Sequence, residues 1–295
     1  MRFALLFAVA LAASGADLME SVEHRYAENQ GVKLHYAAMG EGSLVVMLHG
    51  FPDFWYTWRN QMPTLAAGGY RVAALDLRGY NLSDKPKGVE SYAMPLLVGD
   101  VAAVVKAEGR DKAVIVGHDW GAAIAWQVAM HLPQMTERLV ILNVPHPRGL
   151  SRELAANGQQ TENSEYARKF QQPGAYKALT AEGLAFWVQG EDARAKYVEA
   201  FRKSDLEAML NYYQANYPRP PYEALESTPP IECPVLVMHG MKDKYLLAAG
   251  HAGTWDWVDG ELTMVMFPEA DHFLQHDEPE RVTRTLVDWL ATTRP

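Results

Sequence analysis

The sequence predicts an α/β fold: a mostly parallel sheet flanked by helices, with an inserted helical segment. Short apolar runs rich in Val, Leu and Ile recur at Leu44–Leu48, Val72–Leu77, Ala113–Val116, Leu139–Leu142, Val235–Met238 and Leu262–Phe267. Such runs are the pattern of strands buried on both faces. Helix-length patterns lie between them, notably at Ala93–Lys106, Ala122–Leu132 and Glu280–Leu290. That alternation argues for a parallel sheet covered on both sides. The chain has 295 residues, 48% hydrophobic and 21% charged. These are ordinary globular values that exclude a disordered tail protein, a collagen-like repeat and a disulfide scaffold.

Taken in order, the chain opens with Met1-Arg2 and an apolar run, FALLFAVALAA, far short of the roughly 20 residues that span a bilayer. One cation, a short apolar stretch and small residues at Ser14-Gly15-Ala16 fit a secretory leader over residues 1–16, which implies a periplasmic or secreted protein. The alternative is a start at Met19, which leaves the protein in the cytoplasm. Residues 17–145 form the first part of the α/β core. The alternation stops over 146–230, where alanine, glutamine, tyrosine and charged residues give helical spacing without a convincing strand. Pro218, Pro220, Pro221, Pro229 and Pro230 mark the return to the sheet, since proline continues neither helix nor ladder. Residues 231–295 complete the core.

Lys+Arg 27 against Asp+Glu 36 gives a net charge of -9 with no cationic cluster, so neither nucleic acid nor an anionic membrane surface is an expected partner. The single cysteine, Cys233, forms no intramolecular disulfide and cannot alone anchor a cysteine metal site.

The chemistry concentrates at Ala113–Gly121, AVIVGHDWG, where an apolar strand runs through a glycine-flanked turn into a helix. This is the pattern of a nucleophile elbow, with Asp119 at its tip. A serine there needs a base before it can attack, whereas an aspartate with a reference pKa of about 3.9 is ionised at neutral pH. Attack on a saturated carbon bearing a strained or good leaving group gives a stable alkyl ester, so the residue type points to an epoxide or an organohalide. The competing role for Asp119 is a plain helix cap.

With these residues in view, the chain from about Glu20 to its C-terminus resembles the α/β-hydrolase family and, within it, the soluble epoxide hydrolases. The features are HGFPDFWYTWR at His49–Arg59, DLRGYNLSDKP at Asp76–Pro86, VGHDWG at Val116–Gly121, LNVPHP at Leu142–Pro147, and the surroundings of Asp243 and His272. Each is weak singly; their order is specific. Two positions depart from the pattern: Asn81 and Asp271 stand where glycine is usual.

The resemblance implies an α/β-hydrolase fold with a helical lid, and a nucleophile, acid and base in the order Asp119, Asp243, His272. An imidazole can activate water while the carboxylate fixes its tautomer. It also implies that the backbone N–H groups of Phe51 and Trp120 hold an oxyanion, and that Tyr166 and Tyr213 are the two lid tyrosines. Phenols suit epoxide opening, because the alkoxide formed needs a proton donor that stays protonated. Tyr212 or Tyr217 takes the place of Tyr213 if the helical register is shifted. Trp55, Tyr80 and Phe170, with Phe51 and Trp120, are expected to line an apolar pocket. His276 is expected to be solvated or to cap a helix, and no metal-ligand spacing recommends His272, His276 and Asp277 as a metal site.

The expected reaction is conversion of a small apolar epoxide and water to a vicinal diol, with neither cofactor nor metal. The enzymatic alternative is a dehalogenase. Haloalkane dehalogenases usually carry asparagine where this chain has Phe51, and fluoroacetate dehalogenases carry arginines where it has Trp120 and Ala122. A non-enzymatic ligand-binding protein on the same fold is the alternative from another class.

Overall fold

The computed structural model describes residues 18–293, so the expected leader over residues 1–16 lies outside the described residues. Eight strands form one sheet in the order β1-β2-β4-β3-β5-β6-β7-β8. They are β1 Glu23–Asn29, β2 Val32–Met39, β3 Ser43–Leu48, β4 Tyr70–Leu75, β5 Ala113–His118, β6 Thr136–Leu142, β7 Val235–Gly240 and β8 Leu262–Phe267. β1 pairs antiparallel with β2 and β2 with β4; every other pairing is parallel.

The six apolar runs correspond to β3 through β8. The sequence pattern did not reveal β1 and β2. β1, EHRYAEN, lies at the sheet edge with one fully buried residue, and its polar composition hides it from an apolar-run criterion. The interior strands β5 and β7 are buried along their whole length, as strands covered on both faces must be.

Three long helices flank the sheet: α1 Met94–Ala107, α2 Trp120–His131 and α7 Pro279–Thr292. Nine of the α2 residues are buried, and a helix this apolar, whose polar side chains are Gln127 and the terminal His131, belongs inside the protein, packed on β5 and β6. α7 opens with Pro279, whose missing N–H costs nothing in a first turn, and buries a stripe at Val282, Leu286, Trp289 and Leu290.

Between β6 and β7 the described chain is helical and carries no strand. Its principal helices are α3 Pro147–Ala155, α4 Glu165–Phe170, α5 Glu191–Lys203 and α6 Leu206–Asn216. Among the described residues no helix is long and apolar enough to cross a membrane.

The parallel pairings bring the C-terminal ends of β3, β5, β6, β7 and β8 to one edge of the sheet. A parallel sheet gathers its functional loops there, and the loops carrying Phe51, Asp119, Asn143, Asp243 and His272 all leave from that edge.

Candidate active site

β5 delivers Asp119 on a strained turn. Its φ of 50° and ψ of −123° lie where side chains are costly, by about 1–3 kcal/mol, so the surroundings must impose this geometry. Glycines make room for it. A Cβ on Gly117 would run into the Gly121 carbonyl, one on Gly121 into the Leu48 carbonyl, and one on Gly50 into Asp119 itself. Asp119 occupies the cap position of α2, yet its side chain makes no capping hydrogen bond. It turns instead toward the loop after β3, where Phe51 N–H donates to Oδ1 at 2.7 Å. The Trp120 N–H is one of the amides that a helix start leaves without an intrahelical carbonyl. His49 holds the β3 loop from behind: one ring nitrogen meets the Gly50 carbonyl at 2.8 Å and the other accepts Leu77 N–H at 3.0 Å.

His272 lies between two carboxylates, with Nδ1 2.9 Å from Asp243 Oδ2 and Nε2 3.6 Å from Asp119 Oδ2. Burial acts to lower the imidazole pKa, but the two carboxylates outweigh it and push it up to about 10. Burial likewise acts to raise the Asp119 carboxyl, and the neighbouring His272 with the Phe51 N–H turns the net shift downward. Asp243 is lowered in the same way, by His272 against burial. Its Oδ1 also accepts Tyr245 N–H at 2.8 Å and Leu246 N–H at 3.1 Å. The resting site is thus an imidazolium flanked by two ionised carboxylates.

Two cavities of about 380 Å³ each meet at this point. Asp119, Tyr166 and Tyr213 line both. The rings of Tyr166 and Tyr213 meet edge to face at 6.0 Å, and Tyr213 stands edge-on to Trp120 at 5.0 Å. Burial raises both phenols well above their ordinary pKa, and the Asp119 charge adds to this, so both stay protonated. Their two rivals have other hydrogen-bond partners: Tyr212 O–H donates to the Arg78 carbonyl at 2.9 Å, and Tyr217 O–H to Ser164 at 2.8 Å.

A model of the α/β hydrolase fold family matches residues 43–279. The chain belongs to that family. The AB hydrolase superfamily protein YfhM of Bacillus subtilis (strain 168) is 35% identical over 294 residues, 92% of this chain and 99% of its own. Epoxide hydrolase 1 of Caenorhabditis elegans is 32% identical over 291 residues, 93% of this chain and 72% of that protein. The crystal structure of Bacillus megaterium epoxide hydrolase in complex with an inhibitor matches with a TM-score of 0.84 at 32% identity, over 91% of this chain and all of that one.

Within this α/β-hydrolase, three of the sequence expectations need correction. Trp55 and Tyr80 line neither of the two cavities; Phe170 and Phe51 line the second and Trp120 the first. Trp55 is fully buried among Phe54, Tyr56 and His24, while Tyr80 stands edge-on to His49 behind the β3 loop. Both are core residues, because the motifs that carry them shape the loop rather than face the cavity. His276 is not a solvated cap. Its side chain is largely buried and Nε2 lies 2.7 Å from Thr57 Oγ1, beside Asp53, whose Oδ1 accepts the Tyr197 hydroxyl at 2.8 Å.

The departures from the family pattern are both accommodated. Asn81 adopts a φ of 40° and donates to the buried Asp76 at 2.8 Å, a bond that glycine cannot make. Asp271 is not among the residues with positive φ, and its carboxylate accepts the His272 N–H at 2.8 Å.

The residues that the sequence did not single out are those that orient the machinery. Asn143, at the end of β6, donates to Asp243 Oδ2 at 2.8 Å and to the Asp271 carbonyl at 3.2 Å. His118 meets the His272 carbonyl at 2.8 Å and Gln275 at 3.2 Å. Both lie inside motifs that carry the family resemblance, LNVPHP and VGHDWG, which do not by themselves assign them a partner; Asn143 adopts a φ of 67°.

Two expected results follow from this geometry. Asn143→Gly keeps the left-handed backbone accessible and deletes only the hydrogen bonds, so kcat should fall roughly tenfold or more, as for a bond to a buried charge. Asn143→Ala adds backbone strain of about 1–2 kcal/mol and should unfold at a lower temperature than the glycine variant. Steady-state kinetics and thermal melts on both variants check this. The second result concerns pH. Because the folded pKa of His272 is raised, its contribution to stability is fully present below the reference value of about 6.5. It is lost as pH rises through about 10. Wild type should therefore lose more thermal stability over that window than His272→Gln, and parallel melting curves would contradict the assignment.

Proposed function

We propose that this α/β-hydrolase converts epoxides to vicinal diols through an alkyl ester on Asp119. The observation that carries the reading is an ionised aspartate, not a serine, on the elbow, with His272–Asp243 on one side and two protonated phenols sharing both of its cavities. The relatives whose names are epoxide hydrolase support it.

Asp119 Oδ1 rests on the Phe51 N–H, which leaves Oδ2 to attack the ring carbon. The C–O bond of the ring breaks, and the departing oxygen takes a proton from Tyr166 or Tyr213. Esterification removes one of the two negative charges that hold the His272 proton, so its pKa falls; that proton passes, through solvent, to the phenolate left by ring opening, which restores the tyrosine and leaves a neutral imidazole that can act as a base. It then takes a proton from water attacking the Asp119 carboxyl carbon. The Phe51 and Trp120 N–H groups hold the oxyanion; its collapse breaks the ester C–O bond, the departing oxygen takes the proton of the newly formed Asp119 carboxyl group, and the carboxylate, the imidazolium and the free diol result. Losing one such donor typically costs about a hundred- to a thousand-fold. The helical segment between β6 and β7 serves as the lid: α4 and α6 bring the phenols over the elbow and exclude water from the ring-opening step.

A side-by-side assay on small epoxides, bulky aromatic epoxides, haloalkanes and fluoroacetate tests this reading. Diol formation from epoxides should dominate. Halide or fluoride release in preference would replace it with the dehalogenase reading, and no turnover of any of them would favour a ligand-binding protein.

A further inference from the structure

The two cavities differ in where their polar groups are committed. The first runs along α2, whose Trp120, Ala123, Trp126 and Gln127 face it together at i, i+3, i+6 and i+7. Gln127 is the polar member of that stripe. It sits eight positions beyond Asp119, about 12 Å along the helix at the usual rise.

Apart from the phenols of Tyr166 and Tyr213, assigned above to the ring oxygen, the other amide and hydroxyl side chains of this cavity are occupied. Asn216 accepts Met94 N–H and donates to the Tyr92 carbonyl, both at 2.9 Å. Ser151 donates to the Arg148 carbonyl at 3.1 Å and accepts Leu225 N–H at 2.9 Å. The half-buried Gln127 carboxamide makes no side-chain hydrogen bond to any described residue. Glu223 adds an exposed carboxylate to the same lining. The second cavity is walled by Phe51, Phe170, Leu184, Phe186 and Trp187, and Asp119 is its sole carboxylate.

We propose that Gln127 is a specificity-determining residue: it selects epoxides whose substituent in the first cavity ends in an uncharged hydrogen-bonding group, such as an amide or an alcohol. The opposite ring substituent is apolar and fills the second cavity. A carboxamide both donates and accepts, so it matches such an end group. A site built to hydrogen-bond its ligand rejects analogues lacking the group more strongly than an apolar wall does. Glu223 excludes substrates that carry a carboxylate at the same end. The proposal rests on the epoxide reading above.

The test uses three epoxides with the same aryl group on one ring carbon. On the other each carries a linear tail long enough to reach about 12 Å, ending in a primary amide, a methyl or a carboxylate. In wild type, kcat/KM for the amide should exceed that for the methyl tail roughly five- to tenfold, the size of one ligand hydrogen bond. Most of the difference should appear in KM, and the carboxylate should be the poorest substrate. In Q127L the amide-to-methyl ratio should fall to about one. In E223Q the carboxylate should gain relative to methyl. Each comparison is a ratio within one protein, so a loss of active fraction cancels. An amide-to-methyl ratio near one in wild type, or one that Q127L leaves unchanged, would overturn the proposal while leaving the epoxide reading intact. No turnover of any of the three, with no ester on Asp119, would overturn that reading and the proposal with it.

Discussion

His272→Gln is expected to halt the enzyme after one turnover's worth of chemistry, with the substrate left covalently attached to Asp119. The reason is the division of labour around the imidazole. Ring opening needs an ionised Asp119; in the variant its carboxylate loses the neighbouring imidazolium but retains the Phe51 N–H as a donor to Oδ1, so ester formation should slow less than hydrolysis. Hydrolysis needs a base for the attacking water, and His272 Nε2, 3.6 Å from Asp119 Oδ2, is the group placed to supply it. General-base help is typically worth about a hundred- to ten-thousand-fold, so steady-state turnover should fall by at least that range. Intact-protein mass spectrometry should then show the chain heavier by one substrate. Asp119→Ala should show neither turnover nor adduct. Equal loss of adduct in both variants would mean that His272 acts before the ester rather than on it.

The second large effect belongs to the phenols. Tyr166→Phe with Tyr213→Phe should slow ester formation by roughly a thousand-fold or more, because the departing alkoxide then finds no proton donor. Either single variant should lose less, since both side chains line both cavities and one can stand in for the other. Breakdown of ester already formed should be unaffected. Rapid-quench measurement of the two steps separates them, and equal slowing of formation and breakdown would contradict the assignment of the tyrosines as acids. The double variant should still fold, as it keeps both aromatic rings and the hydrogen bonds of the Tyr212 and Tyr217 hydroxyls.

Legibility from sequence followed the physics of each feature. β5, AVIVGH, is buried along its whole length and stands out as an apolar run. β1 does not, because an exposed edge strand mixes polar with apolar residues; nor does β2, which lies inside the sheet and is buried over Leu34–Ala38 but whose apolar run is interrupted by Lys33 and His35. Asp119 was readable because one residue type on a glycine-flanked turn changes the chemistry. Asn143 and His118 were not, because their meaning lies in partners 100 and 154 positions away, brought close only by the parallel sheet. Aromatic type alone does not distinguish a core wall from a cavity wall, so Phe170 reached the cavity while Trp55 and Tyr80 went into the core. The burial of His276 is hidden from the sequence for a related reason. Its neighbours Asp53 and Tyr197 come from the β3 loop and from α5, and nothing near position 276 announces them.

In the proposed cycle one imidazole serves both halves: between two carboxylates it is an imidazolium, and beside one, once Asp119 is alkylated, it would release its proton and act as the base.

The most direct test is a single turnover with enzyme in excess over an epoxide, in heavy-oxygen water. If Asp119 is the nucleophile, the diol of that turnover takes its new oxygen from the carboxylate and is unlabelled, while the peptide containing Asp119 gains the label from water. Label passing straight into the diol, with the Asp119 peptide unchanged, would contradict the covalent route.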